Sequence, residues 1–313
     1  MLATYLLDAS KAGVRLVTDA RVEAVTSDAL GVTGVSATVG GTRLEVKARA
    51  VILAAGGLNT PAVLLRSGFG GPATGRYLRL HPATVVWGIF DDRIEPWGGS
   101  LQTRFSDQFA DLDGAGYGFK FETAPLHPLF PAAFIGWDDG EAFRKDVLAL
   151  AHRGLAGVLL RDRDHGRVVI RRDGTPRWRY EISRYDQAHV RVGVQRAAEA
   201  LAAAGAREVL SSTVKPVRWL PGSTPLGTFV DGVDSVGYGS NRMRYFSFHQ
   251  MGSARMGTDP GKSVVDASNQ VHDTPGLYVM DASCFPTASG VNPMLTVTAI
   301  AHRGARLLAD RLA

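Results

Sequence analysis

A single cysteine, Cys284, stands among 313 residues. An internal disulfide framework, a cysteine-based zinc site and a CxxC redox motif are thereby excluded, and Cys284 reads as a buried small residue. One cysteine fits a reducing compartment. The first residues, MLATYLLDASKAG, carry no basic lead and meet Asp8 early, so they do not read as a secretory signal and a cytoplasmic location is expected. Long apolar runs are lacking too. The longest uncharged stretch, 282–302, contains Pro286, Gly290 and Pro293 with several Ser and Thr. It reads as a buried functional or core segment, and no transmembrane segment is expected.

Charge of one sign is also lacking. The 35 Lys and Arg stand against 30 Asp and Glu, a net charge of +5. The densest basic stretch, 161–179, alternates with Asp162, Asp164 and Asp173. Surfaces that track phosphates keep one sign on one face, so no nucleic-acid partner is expected.

Several catalytic signatures are missing. There is no GxSxG elbow, no HExxH and no Walker loop. The glycine groups Gly70-Gly71 with Gly75, Gly114-Gly116-Gly118 and Gly237-Gly239 do not follow a buried strand and open a helix with GxGxxG spacing, the context that gives that motif its mechanism. His81, His127, His152, His165, His189, His272 and His302 share no metal spacing and read as structural or surface residues, so no metal site is expected. Arg255 and Met256 read as loop anchors.

What is present is a globular composition, 45% hydrophobic and 21% charged, with length for about two domains. A helix is expected over 1–13, stopped by Gly13. Short β-branched segments at 14–17, 22–25, 31–39 and 42–46 read as a meander. The apolar run 50–55 reads as a parallel strand covered on both faces, with Thr60-Pro61 as N-cap and first residue of a helix closing at Gly68. From Gly75 the texture changes to loops rich in Gly, Pro and aromatics, including Trp87, Trp97, Phe105, Tyr117, Phe119, Phe121, Phe130, Phe134 and Trp137. A helix over 187–204 follows, flanked by strands at 166–171 and 178–182. Residues 277–280 read as a buried strand ending in Asp281, and the last helix as capped by Asn292 with Pro293 in its first turn.

The strongest local signal is a pair of segments, FHQMGSARMG at 248–257 and SGVNPM at 289–294, which place His249 and Asn292 43 residues apart. With them go AVILAAGGLNTP at 50–61, LL at 64–65, SG at 67–68, GRYL at 75–78, HP at 81–82, VVD at 264–266, GLYV at 276–279, DAS at 281–283 and FPT at 285–287. Together they resemble the glucose-methanol-choline (GMC) oxidoreductases, which bind FAD and oxidise alcohols. SRYD at 183–186 and GAREV at 205–209 look like the long-chain alcohol oxidase branch.

The resemblance implies an α/β plus α+β fold. A partial FAD-binding, Rossmann-like domain, lacking the GxGxxG unit with which the family opens, would comprise 1–74 and 246–313, around an inserted sheet-and-helix substrate domain at 75–245. It implies His249 as catalytic base, suited by an imidazole pKa of about 6.5, and Asn292 as the second catalytic residue, holding the substrate oxygen. For FAD it implies contacts from Val22 through its backbone, from Ala54, Ala55 and Gly56 along the cofactor path, and from Asp281 and Ala282 at the ribityl and phosphate region. The helix start at Pro293, Met294 and Leu295 would face the ring, where backbone N–H groups and the helix dipole stabilise negative charge on reduced flavin. HP at 81–82 recurs in the family near the substrate entrance. The expected reaction is oxidation of an apolar, long-chain alcohol, with the electron acceptor, oxygen or another carrier, left open. Two alternatives stand beside it: a same-fold cyanohydrin lyase, and an inactive truncated fragment. For lack of the pyrophosphate cradle, the chain alone is expected to be poorly soluble, colourless and inactive.

Overall fold

The computed structural model describes residues 4–100, 102–124, 127, 135 and 137–313. Phe130 and Phe134, read above as loop aromatics, lie outside the described residues. Helix α1 spans Tyr5–Lys11. Strands β1 (Ala20–Asp28), β2 (Gly31–Val39) and β3 (Thr42–Lys47) form a three-stranded antiparallel meander in that order. The expected strand at 14–17 does not form: Val14, Leu16 and Val17 are exposed and lie outside every sheet.

The apolar run at 50–55 gives only a short strand, β4 (Val51–Leu53). Val51 and Leu53 face the core, whereas Ile52 is 45% exposed, so the expected cover on both faces is present on one. Helix α2 (Gly56–Ser67) then begins a full turn before Thr60-Pro61, which places Pro61 inside it. Proline there deprives the Gly57 carbonyl of its i+4 donor. Ser253 Oγ supplies a replacement at 2.5 Å. A side chain on residue 57 would put Cβ 2.5 Å from the Gln250 carbonyl oxygen, so only glycine lets the 247–253 segment lie against this helix. The helix ends at Gly68 in the left-handed conformation, as expected.

The middle of the chain builds a six-stranded antiparallel sheet. Its strands are β5 (Ala83–Ile89), β6 (Phe105–Ser106), β7 (Phe119–Glu122), β8 (Arg153–Leu160), β11 (Glu208–Ser211) and β12 (Arg218–Trp219), in the order β12-β11-β5-β8-β7-β6. Helix α3 (Gly140–Leu148) precedes β8, and the hairpin β9 (Arg167–Ile170) with β10 (Pro176–Arg179) follows it. Helix α4 (Arg184–Ala203) packs Val190, Val194 and Ala197 against Val86, Phe119 and Val158 of the sheet. Helix α5 (Leu226–Val236) adds Phe229 and Val233 to the same core. The region read from sequence as aromatic loops therefore contains β5, buried along its whole length, with Trp87 in the core and its indole N–H donated to Ser212 Oγ at 3.1 Å.

From Phe246 the chain runs back along the first part, bridging Ala83 and then joining Met251 to Arg79. Strand β13 (Leu277–Val279) pairs in parallel with β4, Leu277 opposite Val51. Helix α6 (Met294–Leu312) closes the chain. Its N-cap is Pro293 and no side chain caps it, so Asn292 does not play the capping role assigned to it. No helix among the described residues is long and apolar enough to cross a membrane.

Candidate functional site

Asp281, buried at the end of β13, ties that strand to the start of α2. Its Oδ2 accepts from the Gly56 N–H at 2.8 Å and the Thr60 hydroxyl at 2.5 Å; Oδ1 accepts from the Ser283 N–H at 2.8 Å and the Ser283 hydroxyl at 2.5 Å. All four hydrogen bonds are made at a helix N-terminus. The carboxylate is fully engaged inside the protein. Ala54 and Ala55 are exposed beside it, and a Cβ on residue 56 would meet nothing within 4 Å.

At the start of α6, Met294 is 73% and Leu295 78% exposed. The first amides of a helix have no intrahelical acceptor, and without a side-chain cap they are free donors at the positive end of the dipole. Asn292, one residue before the cap, is exposed and sends its side-chain amide to Glu122 Oε2 of β7 at 3.2 Å.

His249 is half-buried in the segment that crosses α2. Its Nδ1 lies 3.3 Å from Nδ1 of His81, with the two rings edge to face. The other nitrogen of His81, Nε2, accepts the Gly290 N–H at 3.0 Å. One imidazole thus links the segment carrying His249 to the segment carrying Asn292. A cavity of about 80 Å³ lies beside the histidine pair, lined by His81, His249 and Glu122 and by Val85, Leu155, Leu159 and Phe246. Burial lowers the pKa of His249 from 6.5. Burial, and next the charge of His249, lower that of His81 to about 3. Both rings are therefore neutral at pH 7.

His81 is held by the buried Asp162. Its Oδ1 accepts the His81 N–H at 3.1 Å, and its Oδ2 accepts the Leu80 N–H at 2.9 Å and the Tyr180 hydroxyl at 3.0 Å. The clamp has a load to bear, because His81 sits at φ 47° immediately before a proline. Sequence reasoning set His81 among the structural histidines, placed His81-Pro82 near the substrate entrance only by resemblance, and gave no role to Glu122 or Asp162. The available signal was the His81-Pro82 dipeptide ahead of an apolar run; the partners come from distant parts of the chain.

His249 thus lines the cavity, Asn292 is hydrogen-bonded to Glu122 of its wall, and Ala55, Gly56, Asp281 and Ala282 gather at the junction of β13 and α2. Val22 stands apart. Its carbonyl accepts from Arg66 at 3.1 Å, ten residues along α2 from Gly56, about 15 Å at 1.5 Å per residue. Arg255 is the loop anchor expected, stacked on Tyr77 and donating to the Lys262 carbonyl at 2.6 Å. Cys284 is buried, with its pKa pushed up to about 12, first by burial and then by Asp281. Among the described residues, no group of three His, Cys, Asp or Glu could hold a metal ion. A larger open groove of about 1440 Å³, with Arg76, Arg167, Arg179 and Arg244 on its walls, contains neither His249 nor Asn292.

Comparison with known proteins places the chain in a family. The chain matches the GMC oxidoreductase family over residues 1–83 and 162–301. An uncharacterised GMC-type oxidoreductase of Mycobacterium tuberculosis is 35% identical over 95% of this chain and 46% of its own length. A long-chain-alcohol oxidase of Arabidopsis thaliana is 32% identical over 86% of this chain and 38% of its own. The chain therefore spans less than half the length of these relatives. Among solved structures, pyridoxine 4-oxidase from Mesorbium loti superposes with a TM-score of 0.65 at 21% identity, over 92% of this chain and 57% of that one. A formate oxidase superposes with a TM-score of 0.68 at 18% identity, over 93% and 60%. Identity across nearly the whole chain to a GMC-type relative, joined to the motifs that build the cavity, makes this chain a member of the GMC oxidoreductase family.

Proposed function

We propose that the chain serves the FAD-dependent oxidation of an alcohol to its carbonyl, with His249 and Asn292 as the catalytic pair. The observation that carries this reading is their convergence: segments 43 residues apart bring one to the wall of a cavity and the other to Glu122 of the same wall, beside an uncapped helix start. The residues present fit the cofactor. Free amides at Met294 and Leu295 suit the carbonyl-bearing, anion-forming edge of a flavin, and the open space at Ala55 and Gly56 leaves room for it. When bound, the flavin supplies the acceptor for the carbinol hydride.

His249, kept neutral by burial, takes the hydroxyl proton. Asn292 donates its amide to the substrate oxygen in place of Glu122 and fixes the carbinol carbon. Asp281 holds the end of β13 on α2, so that the Ala55–Gly56 turn and Ala282 keep their places along the cofactor. Pro293 has no N–H and leaves the donation to the two residues after it. In this reading, 1–74 and 246–313 form the cofactor side, a partial Rossmann-like unit of which β4 and β13 are two parallel strands. The six-stranded sheet within 75–245 forms the substrate side.

Val85, Leu155, Leu159 and Phe246 make an aliphatic and aromatic wall that favours an apolar substrate. Each buried methylene is worth about 0.8 kcal/mol, so kcat/KM should rise roughly threefold to fourfold per carbon along a primary alcohol series until the pocket ends. The test is anaerobic mixing of octanol with flavin-loaded protein extended to the length of its GMC relatives. Loss of the visible flavin band supports the reading. Unchanged colour together with cyanide release from a cyanohydrin would replace it with lyase chemistry.

A further inference from the structure

We propose that His81 is a positioning residue that sets which nitrogen of His249 carries its proton, and that the Gly290 amide decides the setting. The proposal rests on His249 being the base, and adds where its proton sits. A backbone N–H can only donate, so the Gly290 N–H at 3.0 Å makes His81 Nε2 an acceptor. A neutral imidazole has one N–H, and that of His81 is therefore on Nδ1. The Nδ1–H points at His249 Nδ1, 3.3 Å away, and makes it an acceptor in turn. His249 is left with its single proton on Nε2.

This state cannot receive a substrate proton at Nε2. To do so, His249 must carry its proton on Nδ1 and donate it to His81 Nδ1, which requires His81 to be protonated on Nε2. Two protons are held by the two rings in either state. Only their places change: the shared proton crosses from His81 to His249, His249 Nε2 releases one to water and His81 Nε2 takes one up. A protonated His81 Nε2 would oppose the Gly290 N–H, so the change requires Gly290 to withdraw. Gly290 lies two residues before Asn292, on the segment that ends at the uncapped start of α6. A ligand that moves this segment thereby switches His249 from donor to acceptor at Nε2.

The ring of His81 is well placed to transmit the setting. Asp162 holds the Leu80 and His81 amides, and Arg161, through its Nε, holds the Ala288 carbonyl at 3.2 Å. A Cβ on residue 290 would fall 2.9 Å from Arg161 Cδ, and φ is 68° there, so glycine is needed for the approach. The charged groups that face the histidine pair are Arg161 and Lys120, both acting on His81, and Glu122 across the cavity.

The test is nitrogen-15 NMR of the full chain labelled in histidine, with long-range proton–nitrogen correlations reading each ring nitrogen. The expected parent pattern is His249 protonated on Nε2 alone and His81 on Nδ1 alone. In His81→Leu, His249 should become a mixture of tautomers. In His81→Gln, whose amide both donates and accepts, the parent pattern at His249 should return. His249 protonated on Nδ1 in the parent would overturn the proposal, as would a His81→Leu variant with parent-like His249 and a folded amide spectrum. If His81→Leu does not fold, the parent pattern alone decides. Failure of alcohol to bleach the flavin would leave this result untouched, so the two readings fall separately.

Discussion

The side-chain amide of Asn292 donates to Glu122 Oε2 at 3.2 Å, reaching from the segment before α6 to strand β7, 170 residues earlier. Asn292 is therefore tied to the cavity wall and does not cap the helix that follows it. The variant Asn292→Ala removes an exposed group outside the helix, so stability should change by no more than about 0.5 kcal/mol while flavin reduction slows. Asn292→Asp would set a second carboxylate against Glu122 and beside the developing negative charge, so it should be slower still. Chemical denaturation and stopped-flow reduction separate the two effects. A stability loss above about 1 kcal/mol in the alanine variant would restore the capping role.

His249→Ala should lower the rate of flavin reduction by alcohol by at least about 10²-fold, the worth of a positioned base, with flavin still bound. The parent should also show a pH dependence with a definite sign. Only the neutral imidazole accepts a proton, and burial holds its pKa below 6.5, so the rate should rise with pH with a midpoint below pH 6.5. Reduction within about threefold of the parent after the substitution would remove His249 from the mechanism.

Ser253→Ala tests the passage of Pro61 through α2. The Ser253 hydroxyl is the donor that serves the Gly57 carbonyl in place of the missing proline N–H, and the serine is buried. Leaving a buried carbonyl without a partner costs about 1–3 kcal/mol. The double variant Ser253→Ala with Pro61→Ala should recover part of that loss, because residue 61 regains an N–H for Gly57. Urea midpoints of the single and double variants measure it; a double variant no better than the single would mean that the hydroxyl acts elsewhere.

Local signals carried the sequence reading a long way. The meander strands β2 and β3 were marked by β-branched runs between turn glycines, and Gly68 stopped α2 where its left-handed φ permits. Strand β5 was not legible. With α4 packed on the face of Val86 and a second cluster of Val85, Trp87, Ile89, Leu155 and Leu210 on the other, it has no polar face to alternate with. Thr60-Pro61 resembled a helix start because a proline belongs in a first turn; what made it tolerable further in was a serine from the far end of the chain. His249 and Asn292 were visible as motif residues. The His81 contact was not, because it joins residues 168 apart, and neither was the Asp162 clamp, which joins His81 to a residue 81 positions on, just past the end of β8. No periodicity records such contacts.

Asp162 offers a test of that clamp through pH. Its pKa is raised from 3.8 to about 6, because burial outweighs the donors Leu80, Tyr180 and His81 and the charge of Arg79. An acid with a higher pKa in the folded state binds its proton more tightly when folded. Between about pH 4 and pH 6 the folded chain thus holds more protons than the unfolded chain, and the contribution of Asp162 to stability falls as pH rises through that window. The shift corresponds to about 3 kcal/mol. Asp162→Asn cannot ionise, so it should gain on the parent between about pH 4 and pH 7, by at most about 3 kcal/mol. Carboxylates with lowered pKa values, such as Asp164 and Asp234, push stability the other way in both proteins and cancel in the difference. The measurement is the urea midpoint of each protein across that range. A difference that stays flat, or that turns against the asparagine variant as pH rises, would mean that the three donors stabilise the carboxylate by more than its burial costs, and that His81 is held by an ordinary ionised aspartate.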